Sequence, residues 1–375
     1  MKILHIINGL GDGGAEHTLF KICKYDNLNK HIVISFKEKG KYFVLLRNLD
    51  IKVYSLNANF FSINKFFFLI KLIRSLKPDI VQTWLVHADF IGGIAARLAG
   101  INNILWNIRY SNIDINRAKI ITNLILSILT KLSYFIPKSI IINSKVAKKI
   151  YEIKGYDKKK LRYIPNGYDI STFKVDKKAK IKFQKKIKYK KKIPLIGYVA
   201  RYDLLKDHLN LLRALSLIRL NGFKFYCVLV GTNINKNKIL ISEIKKLKLS
   251  KHVKLIGPMK NISIVMTLLD IHIQSSKSEG FPNVLAESMA HKTPCIATNV
   301  GDSSYIIGKT GWLVSPNNSI ELAKVIEIAF KEIGTKNWTK KCNMAKERIK
   351  KNFNINNMIK NYNQIWIKVY KKNDR

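Results

Sequence analysis

Short apolar runs alternate along this chain with longer amphipathic segments. In the first half the runs cover residues 3–7, 32–36, 51–54, 80–84, 104–108 and 140–142, and in the second half 197–200, 225–230, 253–256, 271–274 and 295–298. These runs are apolar on both faces, and segments of helix length separate them. That pattern predicts parallel strands covered by helices on both sides, an α/β chain built from two doubly wound, Rossmann-like sheets. The turn signal Pro165-Asn166-Gly167 and the lysine-rich stretch 174–192, which reads as a solvated helix or linker, separate the halves. The expected organisation is residues 1–166, residues 167–355, and a terminal helix over 356–375 that packs back toward the first domain. Two such sheets bind ligands beyond the carboxyl ends of their strands, so the expected site is a cleft between the domains with its motifs just after strands.

The segment Glu279-Gly280-Phe281-Pro282-Asn283-Val284-Leu285-Ala286-Glu287 follows one predicted strand. Pro282 suits the first position of a helix carrying Ala286, Glu287 and Met289. Backbone amides around Phe281 to Leu285, among them those of Asn283 and Val284, then face outward at a helix N-terminus and form an anion site suited to phosphate. Glu279 and Glu287 would repel that phosphate, so they are assigned to neutral hydroxyls, from which a carboxylate accepts readily. A phosphate between two polyols is a nucleotide sugar.

The other motifs also follow strands. Gly9-Leu10-Gly11-Asp12-Gly13-Gly14-Ala15-Glu16 satisfies G-x-G-x-x-G, a dinucleotide signal, although Phe36 and Lys37 precede Glu38 where the second strand should end on an acid. Arg201 closes Gly197-Tyr198-Val199-Ala200-Arg201 and Lys206 follows, two cations able to neutralise a diphosphate. Arginine is the scarcer cation here, so Arg201 is the more informative. His87, after the fourth run, is a candidate for an acceptor-side or catalytic group. The chain contains no Asp-x-Asp pair, so the carboxylate clamp of metal-dependent sugar transferases is missing, and no metal or other cofactor is expected.

The 375 residues carry a formal net charge of +44, mostly lysine spread over the whole chain. Two readings stand: a compositional bias of the coding sequence, or a basic face for an anionic partner. Cys23, Cys227, Cys295 and Cys342 are far apart and read as reduced thiols. The N-terminus lacks the apolar core of a signal peptide, and neither 66–73 nor 120–136 reaches the roughly 20 apolar residues of a membrane span. The expected location is the cytoplasm. Residues 64–76 and 116–134 set Phe66, Phe67, Leu69, Ile70, Ile73, Ile120, Leu124, Ile128 and Leu132 beside Lys65, Lys71, Arg74, Arg117, Lys119 and Lys131. Such segments fit both interfacial and core helices; with the basic excess they predict peripheral binding to an anionic bilayer, at the inner face of the cytoplasmic membrane.

These residues resemble the retaining glycosyltransferases of family 4, which have the GT-B architecture. The resemblance rests on Gly13-Gly14-Ala15-Glu16, Ile164-Pro165-Asn166-Gly167, Val199-Ala200-Arg201 with Lys206-Asp207-His208, and above all Ser278 to Glu287, continued by Thr293-Pro294-Cys295-Ile296-Ala297 and Gly311-Trp312-Leu313-Val314. It implies that Glu279 holds hydroxyls of the donor sugar, Glu287 those of the ribose, and Arg201 and Lys206 the diphosphate, with the Gly14 loop closing from the other domain. It also implies a metal-independent transfer, commonly from a uridine diphosphate sugar, in which the acceptor hydroxyl loses its proton to the leaving phosphate. Domain closure would exclude water. The style of the first half is similar to bacterial enzymes that build O-antigen, capsule or lipid-linked glycans, so the acceptor is expected to be a glycan or a polyprenyl-diphosphate-linked sugar. Where several members have a histidine after the fifth strand, this chain has Asn107-Ile108-Arg109-Tyr110-Ser111. Arg109 is always protonated and cannot act as a base, which leaves it as a phosphate or acceptor contact. Two rival classes remain: a nicotinamide-dependent oxidoreductase using the Gly9 loop, and a basic protein that binds nucleic acid or membrane, for which no nucleic-acid reading motif is present.

Overall fold

A computed structural model describes residues 1–37, 40–57, 62–109, 120–173, 175–189 and 193–371. The chain divides into two compact units, Met1–Gly167 with Ile355–Arg375, and Tyr168–Asn354. The first holds a seven-stranded sheet of β1 (Lys2–Ile7), β2 (Lys30–Ser35), β3 (Lys52–Ser55), β4 (Ile80–Trp84), β5 (Ile104–Ile108), β6 (Ser139–Ile142) and β7 (Leu161–Tyr163), in the order β3-β2-β1-β4-β5-β6-β7. The second holds six strands, β8 (Leu195–Val199), β9 (Tyr226–Val230), β10 (Val253–Ile256), β11 (Ile271–Gln274), β12 (Cys295–Thr298) and β13 (Trp312–Val314), in the order β10-β9-β8-β11-β12-β13. Every pairing is parallel. The strand order reverses between β1 and β4 in one unit and between β8 and β11 in the other, and these switch points are where doubly wound sheets bind ligands.

The eleven predicted runs are all strands, with no end shifted by more than two residues. The β7 and β13 strands were not anticipated: each is three residues long and sits at a sheet edge, too short to leave a periodic signal. In the lysine-rich stretch, Lys177–Lys186 is a helix that buries Phe183 while its lysines face solvent. Pro282 does not open its helix; it caps it, and the helix is Asn283–Ala290. No helix among the described residues is long and apolar enough to cross a membrane. In the helices Ile63–Leu76 and Ile120–Leu132 the core takes Leu69, Ile70, Ile73, Ile125, Leu126 and Leu129. Ile63, Phe67, Phe68, Ile121 and Leu124 are the exposed apolar side chains, a set that shares Phe67 and Leu124 with the expected stripe and otherwise differs from it. Arg117 and Lys119 lie outside the described residues.

Side chains alternate across β1: Leu4 and Ile6 enter one core, Ile3 and Ile7 the other. His5 shares the parity of Ile3 and Ile7, and there it meets the terminal helix Ile355–Lys371, which buries Ile355, Met358, Ile359, Tyr362, Trp366 and Val369 as a helical stripe. A hydrogen-bond chain runs through this layer, and its direction is determined. The Trp84 indole nitrogen can only donate, and it lies 3.2 Å from His5 Nδ1, so His5 carries its proton on Nε2. That Nε2 is 3.0 Å from His31 Nδ1. His31 is therefore protonated on its own Nε2, 3.0 Å from Asp26 Oδ2. Asp26 also accepts from the Leu28 amide, Asn29 and, from the terminal helix, Asn363. Burial opposes its charge, but the donors led by His31 outweigh it and hold the carboxyl at about 2. Trp366 completes the attachment by donating to Gln82 Oε1 at 2.8 Å.

Burial also keeps histidines neutral. It is the largest cause at His5, which is pushed well below its usual 6.5, at His208, lowered to about 4, and at His272, lowered to about 3. Each of these groups binds fewer protons folded than unfolded once the pH falls below the unfolded value near 6.5. Their stabilising contribution is thus complete above that pH and declines below it, by about 1.4 kcal/mol per pH unit for each histidine. Urea midpoints should be lower at pH 5.5 than at pH 7.5, the three histidines together outweighing the opposite contribution of buried Asp89, whose carboxyl is raised to about 7. Equal midpoints would contradict neutral burial of these rings.

Candidate functional site

In the second unit the ends of β8 and β11, adjacent in the sheet, bring three expected residues into one neighbourhood. After β8 the chain passes Arg201, makes a 3-10 turn at Leu204–Lys206 and enters the helix His208–Leu220 through Asp207, whose left-handed backbone (φ 48°) and carboxylate cap it. Beyond β11 come Ser275, Ser276 and the turn to Glu279. Lys206 Nζ donates to Glu279 Oε1 at 2.6 Å, and the Glu279 side chain is only 10% exposed. The Ser276 hydroxyl donates to the same oxygen at 2.7 Å. Among the described residues Arg201 pairs with Asp203, at 3.2 Å, and 70% of its side chain faces solvent, so its guanidinium is accessible to a ligand. Burial opposes the charge on Asp203, but the Leu205 amide and Arg201 together hold its carboxyl below the usual value.

The turn after Glu279 is shaped by residues that sequence reasoning missed. Gly301 has φ +55°, and a Cβ there would lie 2.4 Å from the Glu279 carbonyl and 2.5 Å from that of Gly280. The neighbouring Asp302 amide donates to the Gly280 carbonyl at 2.9 Å. Phe281 is buried edge-on against Phe353, with ring centroids 5.7 Å apart. Asn283 begins the helix and accepts from the Tyr168 hydroxyl at 2.5 Å. Val284 packs on the core, and Glu287, half-buried, stands one turn beyond Asn283 on the same helix face.

In the first unit the remaining candidates stand at the ends of three adjacent strands. Gly13 caps the helix Gly14–Tyr25 after β1, and Gly14 is exposed. After β4, Leu85 adopts φ 74°, a strained conformation for a residue with a side chain. His87 follows, and the Asn8 side chain accepts from the Ala88 amide at 2.9 Å. A π-helical turn over Ala88–Gly92 comes next. Burial, then nearby Lys37, lowers the His87 pKa, which keeps the ring neutral near pH 7. In the same π-turn Asp89, unanticipated, is buried against the Thr83 hydroxyl at 2.5 Å, and burial raises its carboxyl to about 7. Arg109, after β5, donates to Asn166 and to the Tyr362 hydroxyl at 2.6 Å each and covers the Trp84 ring. These contacts make it a tie between strand ends and the terminal helix, whatever ligand it also meets.

Tyr110 and Ser111, beyond Arg109, lie outside the described residues, as does Glu38. The residues that directly follow β2 are Phe36 and Lys37, so the acid that a nicotinamide-binding loop needs is absent from the described part of this edge. Among the described residues one group has metal-ligand chemistry: His5, Cys23 and His31, with ligand atoms within 4.8 Å of one another. The proton chain argues against ligation there. His5 Nδ1 must accept from Trp84, which obliges Nε2 to keep its proton.

Residues 3–172 match the family model described as Glycosyltransferase Family 4, and residues 178–352 match that described as Glycosyl transferases group 1. The capsular polysaccharide biosynthesis glycosyltransferase CapM of Staphylococcus aureus is 23% identical over 340 residues, 87% of this chain and 87% of its own. The UDP-Gal:alpha-D-GlcNAc-diphosphoundecaprenol alpha-1,3-galactosyltransferase of Escherichia coli is 26% identical over 274 residues, 67% of this chain and 66% of its own. Among solved structures, HepE of Anabaena in complex with UDP aligns with a TM-score of 0.85 at 21% identity, covering 97% of this chain and 99% of that one. HepE has also been solved with UDP-glucose. The shared fold is GT-B.

Gly301→Ala should be more damaging than its backbone conformation alone requires. A left-handed alanine costs about 1–2 kcal/mol, and Gly222→Ala, at φ +81° with no atom within 4 Å, supplies that reference. Urea denaturation should place Gly301→Ala clearly below Gly222→Ala. Equal losses would mean that the Glu279 turn does not depend on the close approach of Gly301.

Proposed function

The chain belongs to glycosyltransferase family 4, and we propose that it moves a hexose from a uridine diphosphate sugar to a hydroxyl of a lipid-linked glycan, with retained anomeric configuration. The observation that carries this reading is the ion pair of Glu279 with Lys206 at the switch point of the second sheet, with exposed Arg201 on the same loop as Lys206. A carboxylate that accepts from hydroxyls stands beside two cations that attract a diphosphate. UDP bound to HepE and the diphosphoundecaprenol acceptor in the name of the Escherichia coli relative support the choice of donor and acceptor. CapM supports a role in building a surface polysaccharide.

In the proposed reaction the bond between the anomeric carbon and the diphosphate oxygen breaks, and the acceptor oxygen bonds to that carbon on the same face. The acceptor proton passes to the departing phosphate. Arg201 and Lys206 stabilise the charge that develops on the leaving group, and such preorganised electrostatic stabilisation is usually what lowers a barrier most. An ammonium group has three donors, so Lys206 can keep Glu279 and still reach a phosphate. Glu279 holds sugar hydroxyls and Glu287 the ribose, while Gly280, Phe281, Asn283 and Val284 form the helix start that receives the diphosphate. Gly13, Gly14 and Arg109 are assigned to the donor and neutral His87 to the acceptor. Because the chain has no Asp-x-Asp clamp and these cations take its place, the reaction is expected to continue in EDTA.

Peripheral attachment to the cytoplasmic face of a membrane belongs to the same reading. Ile63, Phe67, Phe68, Ile121, Leu124 and Phe135 are exposed in the first unit, with Lys65, Lys71, Arg74 and Lys131 exposed on or beside the same helices. Each cation near an anionic leaflet contributes about 1 kcal/mol.

Two experiments test these assignments. Glu287→Ala should weaken UDP binding about tenfold or more, the scale of a lost hydrogen bond to a charged group; Glu279→Ala should leave UDP binding nearly unchanged while abolishing transfer. Equal loss of UDP affinity in both would refute the division of labour. Sedimentation with vesicles should show binding to anionic but not neutral lipid, reversed by salt; equal binding to both, or none, would make the charge a compositional bias.

A further inference from the structure

The Glu279 carboxylate is held by more than its ion pair, and the second holder is a residue with no role assigned so far. Ser276 is fully buried, and its backbone carbonyl accepts from the Thr298 hydroxyl at 2.6 Å, so its place is fixed independently of its side chain. A serine hydroxyl has one proton, and an ionised carboxylate has none to give. The 2.7 Å contact between Ser276 Oγ and Glu279 Oε1 therefore uses the serine proton. The 2.7 Å contact between Ser276 and the fully buried Tyr198 hydroxyl then draws on the tyrosine proton, which the Lys206 carbonyl, farther off at 3.1 Å, shares as the weaker acceptor. The result is a directed relay, Tyr198 to Ser276 to Glu279.

Lys206 meets the same carboxylate oxygen, but in a different way. Its ammonium sits on a flexible four-carbon stem and is 24% exposed, and the proposed function also gives it the diphosphate. Ser276 has one rotatable bond and no exposure. When phosphate draws on Lys206, the serine remains a fixed donor to the carboxylate. Neighbouring Ser275 shows that this is not a general property of the strand end, since its hydroxyl donates to the Asp207 carbonyl at 2.8 Å.

We infer that Ser276, oriented by Tyr198, is the positioning residue that holds Glu279 toward the donor sugar, and so governs affinity for the sugar and not for the nucleotide. This rests on the assignment of Glu279 to the sugar. The test compares binding of UDP and UDP-glucose by calorimetry in the wild type, Glu279→Ala, Ser276→Ala, Ser276→Thr and Tyr198→Phe, each first checked for cooperative unfolding. Ser276→Ala should lose about ten- to a hundredfold in UDP-glucose affinity, the scale of a lost hydrogen bond to a charged group, with UDP affinity within about twofold. Tyr198→Phe, close to isosteric in the core, should lose less in the same direction, and Ser276→Thr, which keeps the hydroxyl, should recover most of the difference. A merely structural defect would weaken both ligands alike. If Glu279→Ala loses the sugar increment while Ser276→Ala and Tyr198→Phe keep it, the positioning role is wrong although the function stands. If Glu279→Ala keeps the increment, the assignment of Glu279 itself fails and the inference falls with it.

Discussion

Parallel pairing of strands constrains everything else in this molecule. Two parallel neighbours cannot be joined by a hairpin, so each strand must be followed by a crossover that covers a face of the sheet, and all strands end at the same edge. Both faces are therefore filled by apolar side chains. Chemistry is displaced to the carboxyl edge, where loops leave the strands, and most of all to the points where the winding reverses. In the second unit that geometry sets Arg201, Lys206 and Glu279 at neighbouring strand ends although 73 residues separate Lys206 from Glu279. In the first it sets the Gly13 loop, His87 and Arg109 after β1, β4 and β5.

Burial makes the polar exceptions strict. A hydroxyl or imidazole with one proton can satisfy a chain of acceptors in only one direction. Two such chains stand out among the described residues, from Trp84 through His5 and His31 to Asp26, and from Tyr198 through Ser276 to Glu279. Each ends on a carboxylate that acts as the fixed acceptor. The first secures a helix and the second the carboxylate proposed to hold the donor sugar, so the same device fixes a structural contact in one unit and a candidate site residue in the other.

Much of this was legible in the sequence because apolar runs buried on both faces are unambiguous when β-branched residues dominate them, as in Ile3-Leu4-His5-Ile6-Ile7. Glu279, Lys206 and Arg201 were legible because glycine, proline and charge cluster just after such runs. What stayed hidden has a physical reason in each case. The three-residue strands β7 and β13 have too few positions for a period. Ser276, Tyr198 and Gly301 owe their roles to partners across the sheet or in another turn, and nothing local distinguishes them from other serines, tyrosines and glycines. The exposed apolar set Ile63, Phe67 and Phe68 could not be separated from the buried Leu69, Ile70 and Ile73, because residues of one helix with similar hydropathy are assigned a side only by what packs against them. Arg109 was expected to contact ligand, and its bonds to Asn166 and Tyr362 join segments that lie 57 and 253 residues away in the chain.

The return of the terminal helix to the first unit has a consequence for biosynthesis. A ribosome releases Met1–Gly167 long before Ile355–Arg375, and Tyr168–Asn354 emerges complete in between. Throughout that interval Asp26 lacks Asn363, Gln82 lacks Trp366, and Asn107 and Arg109 lack Tyr362. The second unit is contiguous and can close first, whereas the first must wait, with an uncovered apolar layer, until the helix Ile355–Lys371 has been made. Elongation of this helix is thus the step that ends the first unit's exposure to aggregation and proteolysis.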